Sequence, residues 1–208
     1  MNEPETAEPA GRVLLIACGA LAHEIVALRR GGPWEHVDIQ CLDAELHNRP
    51  ERIAPAVDAL LRERRDRYAR VFVAYADCGS GGLLDRVLEE HNVQRLPGAH
   101  CYEFYAGRER FAELAAAEPG TFYLTDFLVR HFDRLVREGL GLERHPELRD
   151  VYFANYRRVV YLAQTEDEEL SAAAREQARF LGLDFAREYT GLAPFARAFP
   201  EEILRWRN

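Results

Sequence analysis

The chain has 208 residues, 48% of them apolar, and a formal net charge of −8; that length suffices to bury roughly 70% of the surface exposed by the unfolded form. The charge argues against nucleic-acid binding, which needs clustered positive charge, and no apolar run approaches the ~20 residues of a membrane span. The acidic, proline-bearing start MNEPETAEPAGR is unlike a secretory signal and predicts a disordered leader over 1–11 followed by a single domain over 12–208 in the cytoplasm. All 27 basic residues are arginine, which reflects genome composition more than chemistry.

In chain order, RVLLIACGA (12–20) is a continuous apolar run, and ALAHEIVALRRGG behind it has helical spacing closed by glycine, so the two make a first βα unit. VDIQCLDAELHNRP (37–50) supplies a short second strand and a polar loop, and Pro50 starts a helix through PERIAPAVDALLRERRDR. ARVFVAYADCGSGG (69–82) is a third strand and turn, LLDRVLEEHN a helix, and VQRLPGAHCYEFYAG (93–107) opens with a fourth strand. RFAELAAAEPG then reads as a helix, TFYLT as an extended piece, and DFLVRHFDRLVREGLG as one long amphipathic helix capped by Thr125 or Asp126. Within it, Asp126 and Arg130 are spaced as a surface pair. YRRVVYLAQT is a further strand, EDEELSAAAREQARFLGL a helix, and DFAREYTGLAPF a terminal strand or tail. Aliphatic strands alternating with helices predict an α/β fold, a three-layer sandwich with one mostly parallel sheet and helices on both faces. In such sheets ligands bind outside the carboxyl ends of the strands.

That rule gathers chemistry from distant positions. Cys18 ends strand one, Cys78 ends strand three, and His100 with Cys101 follow strand four, giving three thiols and an imidazole for tetrahedral zinc; an iron–sulfur cluster is the alternative for soft sulfur ligands. His47, after strand two, is the reserve ligand on the same rim. In a reducing compartment such dispersed cysteines serve as ligands, nucleophiles or core filler rather than bridges. Cys18 and Cys78 also suit small apolar packing positions, and Cys41, inside a strand, is read as core. Gly79, Ser80, Gly81 and Gly82 place backbone N–H groups at a helix start, where they can hold a phosphate or carboxylate or form an ordinary turn. Asp77 and Glu103 flank the cysteines as candidate proton-transfer groups or outer partners of a metal. A Ser–His–Asp hydrolase is unsupported, since no GxSxG elbow occurs.

The ordered set ACGA, HNRPE, YADCGSGG, PGAHCYEFYAG, TFYLTDFLVRHFD and YRRVVYLAQT resembles the bacterial and archaeal family known as domain of unknown function 1638, over nearly everything after the leader. Relatives in that family are often encountered beside corrinoid-dependent methyltransferases of one-carbon metabolism. The resemblance thus implies a role around methyl transfer, with a small-molecule or corrinoid-protein partner, and assigns no residue a role.

Two functional expectations follow. One is a metal-dependent enzyme of methyltransferase type, with Cys18, Cys78, His100 and Cys101 on the ion and Glu103 or Asp77 moving protons. The other is a non-catalytic accessory, a metal or corrinoid chaperone for a methyltransferase; an iron–sulfur electron carrier and a metal-free cysteine nucleophile are variants. Whether the chain forms a homo-oligomer is left open.

Overall fold

A computed structural model describes residues 11–32 and 34–199 of the chain; the leader expected over 1–11 lies, except for Gly11, outside the described residues. Strands β1 (Val13–Cys18), β2 (Val37–Leu42), β3 (Arg70–Ala74) and β4 (Gln94–Arg95) form one parallel sheet in the order β2-β1-β3-β4. Strands β5 (Thr121–Thr125), β6 (Arg158–Ala163) and β7 (Asp184–Tyr189) form another, in the order β5-β6-β7, also parallel throughout. The α/β class and parallel pairing are as expected, but the strands divide between two sheets where a single one was predicted. Contacts likewise cluster into two compact units, one running to Ala99 and including Phe199, the other His100–Ala198.

In the first unit β1 lies between β2 and β3 and is buried along its whole length, the pattern of a strand covered on both faces and hence apolar at consecutive positions. The order puts β2 and β3 on opposite sides of β1, so the chain reverses its direction of travel across the sheet between β1 and β3. Such a switch point opens a crevice at the carboxyl ends of the two strands. Helices α1 (Ala22–Gly31), α2 (Ile53–Arg64) and α3 (Leu83–Glu90) supply the crossovers. Pro50 begins a single tight turn, Pro50–Arg52, ahead of α2, consistent with its preset backbone angle.

The second unit opens with α4 (Tyr102–Ala106) and α5 (Arg108–Ala117). The long helix predicted over 126–141 is broken: α6 covers only Asp126–Arg130, and a wider-wound helical segment, Asp133–Glu138, follows. Thr125 caps α6, its hydroxyl accepting from the N–H of Leu128 at 3.3 Å, as the sequence suggested. The predicted Asp126–Arg130 pair does not form, because Asp126 is buried and Arg130 lies 3.9 Å from Asp167 instead. After α7 (Glu147–Tyr152) and β6, helix α8 (Glu168–Leu181) is capped by Asp167, which accepts from Glu169 and Leu170, and is closed by Gly182 in the left-handed region. Its inner face packs with Leu124, Phe132, Val136 and Tyr161 into one apolar cluster, and α9 (Ala193–Ala198) follows β7.

Candidate metal centre

Cys18 sits at the end of its strand, whereas Cys78, expected to end strand three, lies four residues beyond Ala74 and Cys101 six beyond Arg95. Cys18 is the last residue of β1, still extended, and is 1% exposed. The chain then turns at Gly19, where a side chain would come within 2.9 Å of the Leu42 carbonyl oxygen, so only glycine lets β1 leave this close to the end of β2. Past β2, a short turn over Ala44–Asn48, capped by Asp43, carries His47. Past β3, Cys78 has φ +49°, a left-handed conformation that costs a residue with a side chain about 1–2 kcal/mol. Strain of that kind clusters at functional sites.

Two sets of hydrogen bonds hold Cys78 in place. The N–H groups of Asp77 and Cys78 donate to the carbonyls of Gly98 (3.1 Å) and Ala99 (2.9 Å). The Asp77 side chain then accepts from the Ser80 hydroxyl at 2.8 Å and from the N–H groups of Gly82 at 3.0 Å and Gly81 at 3.3 Å. Burial would push the Asp77 carboxyl up, but the Gly82, Ser80, Gly81 and Gly79 donors outweigh it and hold it below its ordinary value. The loop after β4 is fixed in turn by Arg95, which grips Asp85 in α3 with two bonds and donates to the carbonyls of Leu96 and Gly98. Cys101 follows Ala99 by two residues. That is a reach of about 7 Å of extended chain, so a partner of Ala99 and the Cys101 side chain are necessarily close.

His47, Cys78 and Cys101 each offer a ligand atom, and these atoms all lie within 4.8 Å of one another. His47 Nδ1 stands 3.6 Å from Cys18 Sγ, while His47 Nε2 is buried with no hydrogen-bond partner. The ring lies nearly parallel to that of Tyr75, at 6.2 Å. Burial works against a charged imidazole here, yet the nearby sulfurs of Cys18 and then Cys78 prevail and hold His47 well above its ordinary value. Two sulfurs beside a buried imidazole favour positive charge between them, supplied by a proton or by a soft cation.

Of the residues singled out in the sequence, Cys78 and Cys101 belong to this group, and the reserve ligand His47 takes the place given to His100. His100 is exposed, and its carbonyl accepts from the N–H of Glu103 at 3.1 Å. Successive residues in a helical turn project about 100° apart, so a buried Cys101 sends its neighbour outward. Cys18 touches His47 rather than joining the three. Ser80, Gly81 and Gly82, expected to hold an anion, bind the protein's own Asp77, whose carboxyl is thereby employed in shaping the turn. Glu103 is half-buried on the first turn of α4. Cys41 pairs with Ala17 across the sheet, and burial, followed by the charge of Cys18, pushes its thiol up. Both histidines were expected on the strand-end rim, and nothing in the sequence favoured His47 over His100.

Among the described residues no helix is long and apolar enough to cross a membrane. Neither the curated proteins nor the solved structures contain a match to this chain. A family's sequence pattern, however, matches residues 41–199, a stretch that includes His47, Cys78 and Cys101, and the chain belongs to that family, described as Protein of unknown function (DUF1638).

Proposed function

We propose that this protein is a metal-dependent enzyme whose ion, zinc by its ligand chemistry, is held by His47, Cys78 and Cys101. The observation that carries the reading is the convergence of one imidazole and two thiols within 4.8 Å at the carboxyl ends of parallel strands, where the fold concentrates ligands. Thiolate and imidazole together select zinc among the abundant divalent ions, and three protein ligands leave the fourth tetrahedral position for water or substrate, the pattern of catalytic rather than structural zinc. An iron–sulfur cluster would ordinarily draw on four cysteines, and only two join this group. The left-handed Cys78 adds support, since a strained residue is retained where geometry at that point matters.

An open position on a thiolate-ligated zinc suits activation of a thiol or similar soft nucleophile by lowering its pKa. In methyl transfer the activated sulfur would form the new carbon–sulfur bond while the donor keeps the electron pair of the bond it loses. Support for methyl transfer, and for a corrinoid donor, is the family resemblance alone. Anaerobic purification followed by metal and acid-labile sulfide analysis tests the reading. One equivalent of zinc without sulfide, lost in Cys78→Ser and Cys101→Ser, is expected. Metal-free protein that takes up no ion on titration sinks it, and sulfide in the preparation replaces zinc by a cluster.

A further inference from the structure

Cys18 was predicted as a ligand, yet its surroundings fit a different task. Its sulfur accepts the N–H of Ala20 at 3.3 Å and faces His47 Nδ1 at 3.6 Å, a hydrogen-bonding distance for an atom as large as sulfur. It is buried at the end of β1, and the close passage of Gly19 by the Leu42 carbonyl fixes the backbone beside it. Its sulfur thus has a backbone N–H on one side and a ring nitrogen on the other, while the ligand atoms that lie within 4.8 Å of one another are those of His47, Cys78 and Cys101. On the opposite side of the ring, Nε2 is buried and without a partner, an orphaned polar atom that costs about 1–3 kcal/mol unless something fills its need.

Resting on the metal reading above, we propose that Cys18 is a positioning residue: its sulfur accepts a hydrogen bond from the Nδ1 N–H of His47, fixing the tautomer and ring orientation that present Nε2 to the ion. Histidine ligands generally donate their second ring N–H to a carboxylate or carbonyl, which orients the ring and raises its basicity. Here a thiol sulfur occupies that place, and the ion sees two sulfurs and one nitrogen from the protein rather than three sulfurs.

X-ray absorption on the wild-type protein loaded with Co²⁺ tests the inference without any substitution: two sulfur neighbours are expected, and three overturn it. Affinity for Co²⁺ supplies the second measurement. Cys18→Ala should bind roughly 10- to 100-fold more weakly, with Cys18→Ser, whose hydroxyl also accepts, in between. The thiolate-to-cobalt charge-transfer bands should keep their full intensity in both variants. Undiminished affinity in Cys18→Ala, or weaker charge-transfer bands in either variant, defeats the proposal. Failure of wild-type protein to bind Co²⁺ or Zn²⁺ at all removes the metal reading and the inference with it, whereas an ion bound through three sulfurs removes the inference alone.

Discussion

Asp126, at the start of α6 where β5 ends, is surrounded by donors: the Tyr161 hydroxyl at 2.7 Å, the Gln164 N–H at 3.0 Å and the Thr165 hydroxyl at 2.6 Å, while its own N–H donates to the Gln164 side chain. At the corresponding carboxyl edge of the first sheet, His47 keeps one nitrogen unpartnered, Cys78 occupies a strained backbone, and sulfurs stand near enough to share an ion. Each edge is buried and polar, but the second sheet's is closed on itself and the first sheet's has capacity left over. A saturated network fastens β5 and β6 to the helices that follow them. An unsaturated one, built at a cost in strain and desolvation, is what a ligand site looks like before its ligand is considered. Burial, helped by the hydrogen bond to Asp126 and that group's charge, drives the Tyr161 phenol well above the ordinary tyrosine range, so it stays a proton donor.

If the contrast holds, Asp126→Ala should have the largest effect on stability. It strands three donors, of which the Tyr161 hydroxyl and the Gln164 N–H are deeply placed, and a loss of about 3–5 kcal/mol in urea unfolding is expected, with metal uptake by the folded fraction unchanged. A loss under about 1 kcal/mol would erase the distinction between the two edges. Arg95→Met should cost about 1–2 kcal/mol, because it frees the carbonyls of Leu96 and Gly98 as well as Asp85. Its counterpart in the second unit, Arg110→Met, should stay below about 1 kcal/mol, since Arg110 and Glu113 face solvent and Glu188 is half-buried. Equal costs for the two arginines would show that the loop behind Cys78 needs no clamp.

Cys78→Gly should leave the metal-free protein within about 0.5 kcal/mol of wild type, relief of the left-handed backbone offsetting the lost thiol packing, while abolishing metal binding. A large destabilisation there would make Cys78 core rather than site. The smallest effect is in acid. Asp77 has a folded-state pKa below its unfolded value near 3.9, so its stabilising contribution is fully present above that pH and disappears as pH falls through the lower folded value. Comparing acid unfolding of wild type with Asp77→Asn should show the variant less stable at neutral pH and the two converging as pH falls below the unfolded value; parallel curves would mean the turn does not depend on the charge.

Much of this was legible in the residues. The continuous apolar run at 13–18, the glycine turn after 78 and the Thr125 cap each encode local physics, and each appears where periodicity and cap chemistry placed it. The strand-end rule put Cys78 and Cys101 together and named His47 as a reserve. What escaped the reading was non-local. His100 and Cys101 are neighbours in sequence, and nothing in the pair states which of them a fold will bury. Asp126 spaced four from Arg130 looks like a surface pair until Tyr161 and Thr165, 35 and 39 residues away, arrive to bond it. The second sheet was invisible because βα units separated by a helical stretch have the same pattern whether they extend one sheet or begin another.

The amino-acid order by itself determined the strands, their parallel pairing and the family, because hydrophobic period, caps and turn residues act over a few positions along the chain. Only the tertiary structure decided which nitrogen and which sulfurs meet, and it separated Cys18 as a neighbour of His47 from Cys78 and Cys101 as a pair beside it. Those distances depend on how far each strand runs before its turn, a quantity set by packing among segments tens of residues apart and written in none of them alone.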